Sequence, residues 1–182
     1  MSEQRDFVES LGALTLDHRF KRMMHRLLGE ADEIYRALGL PIKSRWCSTL
    51  LLLEEEGGLT VGEVAERIRL SHPAIVQILD DMANTGLVSK TQDPTDGRRR
   101  ILSLSAKGRR WMPKLHAVWD EMTRAQERAF AATGIDMLAA LDAANAELDR
   151  KSIAERVLAS TQQRDQGTRG SQGIRKTKSV RK

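Results

Sequence analysis

Between Gly58 and Gly86 the chain writes two helix starts in quick succession. Thr60-Val61-Gly62-Glu63 has capping-box spacing, in which the threonine hydroxyl and the glutamate carboxylate each satisfy an orphan backbone amide. Val64, Ala65 and Ile68 then supply one short apolar face. After the break Ile68-Arg69-Leu70, Ser71 suits the next N-cap, and Pro73 is tolerated because amides of the first turn are unpaired anyway. Ile75, Ile78, Leu79 and Met82 form the second face, and Asn84-Thr85-Gly86 ends it. Isolated helices this short are marginal in water, so the pair must pack on each other and on a larger body. That requirement points to a helix–turn–helix.

The flanking sequence supplies the body. Phe20, Met23, Met24, Leu27, Leu28, Ala31, Ile34, Tyr35 and Leu38 follow one helical stripe, stopped by Gly39 and Pro41. A small body cannot cover all of it, which leaves part to face a second chain. Ser44 to Glu56 (SRWCSTLLLLEEE) reads as a second helix ended by Gly57-Gly58. Leu87-Val88 and Ile101–Leu104 flank DPTDGRRR and suit a two-stranded hairpin, with Asp93-Pro94 and Asp96-Gly97 as turn chemistry. Ser105 can cap a fifth helix with a stripe through Trp111, Leu115, Val118, Trp119, Met122 and Phe130. Pro113 should kink it. After Gly134, a sixth helix is expected from Ile135 to about Leu158, with Leu138, Leu141, Leu148 and Val157 on one side. The fold class is mainly α with a small β-hairpin wing, in the order α-α-α-α-β-β-α-α: a winged helix–turn–helix.

Charge is unevenly placed. Residues 163–182 hold seven basic residues and one acidic, a net of +6, so the rest of the chain sums to −1. With Ile174 and Val180 as its only large apolar residues, this tail is expected to be disordered. No run approaches the roughly 18 apolar residues of a membrane span, and MSEQRDF lacks the features of a signal peptide. The single cysteine, Cys47, fits a reducing compartment. A cytoplasmic protein without membrane association is expected.

The second helix of such a pair fits the major groove and sets its N-terminal residues against base edges, while its amide-rich start suits a phosphate. With the apolar stripe inward, Ser71, His72, Pro73, Ala74 and Gln77 remain near that start. Gln77 can pair with adenine and Ala74 can touch a thymine methyl. Thr60 and Ser71 cap the two helices. At the hairpin tip, Asp96 fixes the turn and Arg98 is placed to enter a minor groove, where A·T-rich segments concentrate negative potential. Arg99 and Arg100 alternate in direction as the strand begins, so at most one can follow it. The competing reading of these positions is a solvated polar surface.

LTVGEVAERIRLSHPAIVQILDDMANTGLV followed by SKTQDPTDGRRRILSLSAKGRR resembles the MarR family of transcriptional regulators. The family's D-x-R wing pattern is matched by Asp96-Gly97-Arg98, and its L-T-x-x-G by Leu104-Ser105-Ala106-Lys107-Gly108, with Ser for Thr. The resemblance covers about residues 10–158. LGALTLDHRFKRMMHRLL, PIKSRW and SHPAIVQ are also similar to the MarR halves of MarR/GNAT acetyltransferase fusions, here without space for a catalytic domain of about 150 residues.

The resemblance implies a homodimer whose first, fifth and sixth helices intertwine, a double-stranded operator as partner, Asp96 as a brace for the wing and Arg98 as the minor-groove finger. Four segments follow: an arm with the first dimerisation helix (1–42), the DNA-binding lobe (43–104), the C-terminal dimerisation helices (105–160) and the basic tail (161–182). Tyr35, Trp46 and Trp111 are candidate walls of an effector pocket, though such residues more often form plain core.

Other chemistries find little footing. The histidines, His18, His25, His72 and His116, form no compact metal motif; His18 and His25 share a helix face two turns apart, about 10 Å by helix rise, and can line a cleft but not share an ion. Cys47 sits beside Trp46 without a resolving partner and reads as a buried small hydrophobe rather than a redox sensor. No nucleophile motif or phosphate loop points to an enzyme, and no cofactor is expected beyond an unidentified small-molecule effector. The competing function is a protein-interaction or architectural module whose tail supplies the affinity for nucleic acid.

Overall fold

A computed structural model describes residues 6–93, 96 and 99–162. Pro94, Gly97, Arg98 and residues 163–182 of the basic tail, which carry the expectations of turn chemistry, a groove-entering arginine and disorder, lie outside the described residues. The chain divides into two compact units, Met1–Met122 and Thr123–Lys182.

The first unit opens with a short helix, α1 (Phe7–Ser10), which the sequence pattern did not announce. Asp6 caps it by accepting from the Val8 amide at 2.9 Å and also pairs with Arg22 of the next helix. A 3-10 turn over Gly12–Thr15 leads into α2 (Leu16–Ala37). The expected stop is present: Gly39 takes φ 64°, and the Leu40 amide donates back to the Tyr35 carbonyl at 2.8 Å. The helix expected from Ser44 begins instead as a 3-10 turn, Ser44–Trp46, and becomes α-helical over α3 (Cys47–Glu55). Asp32 fixes that tighter start by accepting from the Ser44 amide at 2.6 Å.

Next come α4 (Val61–Ile68) and α5 (His72–Thr85), then β1 (Val88–Gln92) and β2 (Arg100–Leu104). The strands pair antiparallel with Val88 opposite Leu104 and Gln92 opposite Arg100. Leu59 adds a one-residue bridge to Leu102, giving the hairpin a third line of backbone bonds. One residue of pairing carries no strand pattern, so the sequence could not reveal it. Helix α6 (Ala106–Ala131) follows, with Pro113 inside it and Ser105 accepting from the Gly108 amide at 2.9 Å.

One core joins these elements. Tyr35 of α2, Trp46, Leu50 and Leu53 of the α3 region, Val64 of α4, the four expected residues of α5, and Leu102 and Leu104 of β2 are all buried. Met112, Leu115 and Trp119 of α6 bury in the same core, so the body around the helix–turn–helix extends past residue 104. Along α2 only Ala31 and Tyr35 are buried; Phe20 and Met24 are about half exposed.

The second unit has no buried side chain among its described residues. The single helix expected from Ile135 to about Leu158 is corrected to two. Helix α7 (Met137–Arg150) ends where Lys151 turns extended (φ −158°), and helical backbone resumes over 153–162. The physical reason is a second capping box. Ser152 accepts from the Glu155 amide at 3.2 Å, and Glu155 accepts from the Ser152 amide at 2.8 Å. Leu138, Leu148, Ile153, Val157 and Leu158 are all exposed.

Candidate nucleic-acid interface

The start of α4 is held by the predicted box. Glu63 accepts from both the Thr60 amide and the Thr60 hydroxyl at 2.7 Å, and these donors hold its carboxyl below the usual carboxylate range. Two turns on, the chain must reverse without a glycine. Arg69 does so at φ 57°, while the Leu70 amide donates to the Ala65 carbonyl at 3.1 Å and closes the turn. Ser71 then caps α5 by accepting from the Ala74 amide at 3.4 Å.

Burying Ile75, Ile78, Leu79 and Met82 decides what α5 presents to solvent. Ser71, His72, Pro73 and Gln77 are exposed, whereas Ala74 is half-buried at the edge. Val76 and Asp80 also stand on the outward side, and the sequence reading left both out. Their signal was available, since counting 100° per residue from the buried stripe places both on the side of Pro73 and Gln77.

Ion pairs set the pose of α5. Lys43 (3.4 Å) and Arg45 both reach Asp81, and Lys90 of β1 reaches Asp80 at 2.5 Å. These pairs are partly exposed and individually weak, but they tie two segments, residues 43–45 and β1, to α5.

At the hairpin tip, Asp93 Oδ1 accepts from the Asp96 amide at 3.3 Å, and the Asp96 carbonyl accepts from the Arg99 amide at 2.9 Å. The Arg99 side chain, a candidate for DNA, stands 3.6 Å from Glu63 and so faces the start of α4. Arg100 is exposed at the first position of β2.

Of the candidate pocket walls, Tyr35 and Trp46 are core residues, each 2% exposed. Trp119 Nε1 donates to the Tyr35 hydroxyl at 2.9 Å. Trp46 Nε1 and Thr49 Oγ1 are buried with no hydrogen-bond partner among the described residues. Trp111 is half-buried with the Lys114 ammonium 5.4 Å from its ring. Burial pushes the Cys47 thiol up to about 11, the opposite of an activated thiolate. His18 and His25 line an open depression of about 650 Å³ with Lys21, Arg22, Met23 and Arg26. Among the described residues no cluster of three or more His, Cys, Asp or Glu could hold a metal ion, and no helix is long and apolar enough to cross a membrane.

Residues 38–99, the segment that holds α3 to the wing, match the model of the MarR family. HTH-type transcriptional regulator MT0903.1 of Mycobacterium tuberculosis (strain CDC 1551 / Oshkosh) is 31% identical over 74 residues, covering 41% of this chain and 52% of that protein. The chain thus spans about half the length of that relative. HTH-type transcriptional regulator PrsX of Escherichia coli is 23% identical over 129 residues, covering 66% of this chain and 78% of PrsX. Among solved structures, a mutant MarR from E. coli complexed with operator DNA superposes with TM-score 0.60 at 19% identity, covering 79% of this chain and 98% of that one. PcaV from Streptomyces coelicolor with its natural ligand gives 0.58 at 22% identity, covering 79% and 95%. These likenesses show the fold: a mainly helical winged helix–turn–helix.

Proposed function

We propose that this chain is a MarR-type regulator of transcription that binds a pseudo-palindromic duplex sequence-specifically as a homodimer and acts as a ligand-responsive repressor. One observation carries the DNA reading. Helix α5 is capped at Ser71, buries its apolar stripe, and offers His72, Pro73 and Gln77 to solvent beside a two-stranded wing. In this arrangement Gln77 reads a base edge, Ser71 and the α5 amides hold a phosphate, and Arg98 enters the neighbouring minor groove. Arg100 adds charge at the wing, and Asp96 orders the turn that presents it. The match of residues 38–99 to the MarR family supports the same assignment.

The homodimer draws support from apolar side chains that one chain leaves in water on α2, α7 and helix 153–162. In the dimer the arm and α2 (1–42) and the C-terminal helices (105–160) would make the contact. Two recognition helices then fall in successive major grooves, about one helical turn apart. An effector acts by preferring the dimer whose lobes are wrongly spaced for DNA. Tyr35, Trp46 and Trp111 are its proposed walls, and Trp46 Nε1 and Thr49 Oγ1, buried with no partner among the described residues, are polar atoms it could engage.

A salt titration tests the reading on a duplex selected from a random library and on a scrambled one. Arg98→Ala should weaken the selected complex by about 1–3 kcal/mol. Removing residues 163–182 should lower affinity for both duplexes and flatten the salt dependence while leaving the preference intact. Unchanged binding by Arg98→Ala would sink the wing assignment. Loss of all binding on truncation would favour an architectural module that works through its tail.

A further inference from the structure

We propose that the first turn of α6 positions the recognition helix through a clamp in which Lys107 is a positioning residue for DNA reading. The inference rests on the DNA-reading role assigned to α5 above. A helix leaves its last four carbonyls without intrahelical donors. Here three successive carbonyls at the end and exit of α5 are met from one turn of α6. Lys107 Nζ donates to the Thr85 carbonyl at 2.6 Å, the Ser105 hydroxyl to the Gly86 carbonyl at 2.6 Å, and the Ser105 amide to the Leu87 carbonyl at 2.9 Å. The ammonium also lies at the negative end of the α5 dipole, where a cation is favoured.

The contact is too close for an ordinary side chain. A Cβ on Gly108 would stand 2.2 Å from the Leu87 carbonyl oxygen, so α6 and the exit of α5 meet backbone to backbone. The Ser105 hydroxyl accepts from the Gly108 amide while donating to Gly86, which fixes its rotamer. Arg109 Nη1 donates to the Leu104 carbonyl at 2.5 Å and ties down the end of the wing from the same turn. By contrast, Ser71 caps the other end of α5 with a longer, local bond from the Ala74 amide at 3.4 Å. Beside the ion pairs at Asp80 and Asp81, the far end of α5 is thus held backbone to backbone by α6, so a change in the pitch of α6 is passed along α5 towards its DNA-reading end.

Lys107 is exposed, so it can be changed without opening the core. The full chain, Lys107→Met and Lys107→Arg are compared for affinity to the library-selected and scrambled duplexes, and for amide hydrogen exchange across residues 81–85. Lys107→Met should weaken the selected complex about tenfold, the size expected of one charge-assisted hydrogen bond, and change the scrambled complex less than about twofold. Exchange in the last turn of α5 should quicken, and Lys107→Arg should restore both readouts. Equal weakening on both duplexes with a shallower salt dependence makes Lys107 a phosphate contact and overturns the clamp. Unchanged exchange overturns it as well. A wild-type chain that selects no sequence defeats the DNA-reading proposal, and the exchange comparison still decides the clamp.

Discussion

Arg69 shows what a single residue contributes to the turn that defines the motif. It holds φ 57° between α4 and α5, a conformation that costs an L-residue about 1–2 kcal/mol and a glycine almost nothing. Glycine also loses more chain entropy on folding, so the two effects partly offset. Arg69→Gly should therefore stabilise the protein by up to about 1 kcal/mol, read as a higher urea midpoint at unchanged slope. A lower midpoint would mean that the exposed side chain makes a stabilising contact. At this scale the sequence was a fair guide. The hydroxyls of Thr60 and Ser71 cap where expected because caps are local. The position of Arg99 opposite Glu63 was not legible, since the two residues meet only after the hairpin folds over α4.

Among the elements, the break between α7 and the helix over 153–162 was missed although its marker was in plain sight. Ser152-Ile153-Ala154-Glu155 is a capping box, but the apolar spacing runs through it and suggests one continuous helix. Across the break, Glu147 accepts from Arg150 at 2.7 Å and from Arg156 at 2.6 Å. Hydrogen bonds from Arg150 first, and then Arg156, pull its carboxyl down to about 2 from an ordinary value of 4.5. The folded value is depressed, so whatever the link contributes is present above pH 4.5 and is lost as pH falls towards 2. Acidification from pH 5 to 2 should reduce the helical 13Cα shifts of residues 153–162. Glu147→Gln should produce that loss already at pH 7 and show no further loss from this link on acidification. Shifts that stay constant through both changes would show the link to be idle.

Taken whole, the chain buries one core around the helix–turn–helix and leaves a second set of helices with their apolar side chains in water. Leu138 is 74% exposed and Ile153 61%, apolar surface that a second copy would bury. If a second copy covers them, the wild-type chain sediments as a dimer, and Leu138→Glu shifts it to monomer while far-UV circular dichroism is kept. The variant should also lose at least about tenfold in affinity for a palindromic duplex, because only a dimer engages both half-sites. A wild-type chain that sediments as a monomer would remove the dimer from the proposal. By itself the sequence determined the order of elements from α2 to α6 and the caps and inward faces of α4 and α5, because each depends on neighbours within a turn or two. The tertiary structure alone decided that the carbonyls of Thr85, Gly86 and Leu87, at the end and exit of α5, meet Lys107 and Ser105, that Arg99 faces Glu63, and that Leu59 pairs with Leu102. Those pairings join residues far apart in the chain, and periodicity and propensity carry no record of which distant carbonyl a side chain will find.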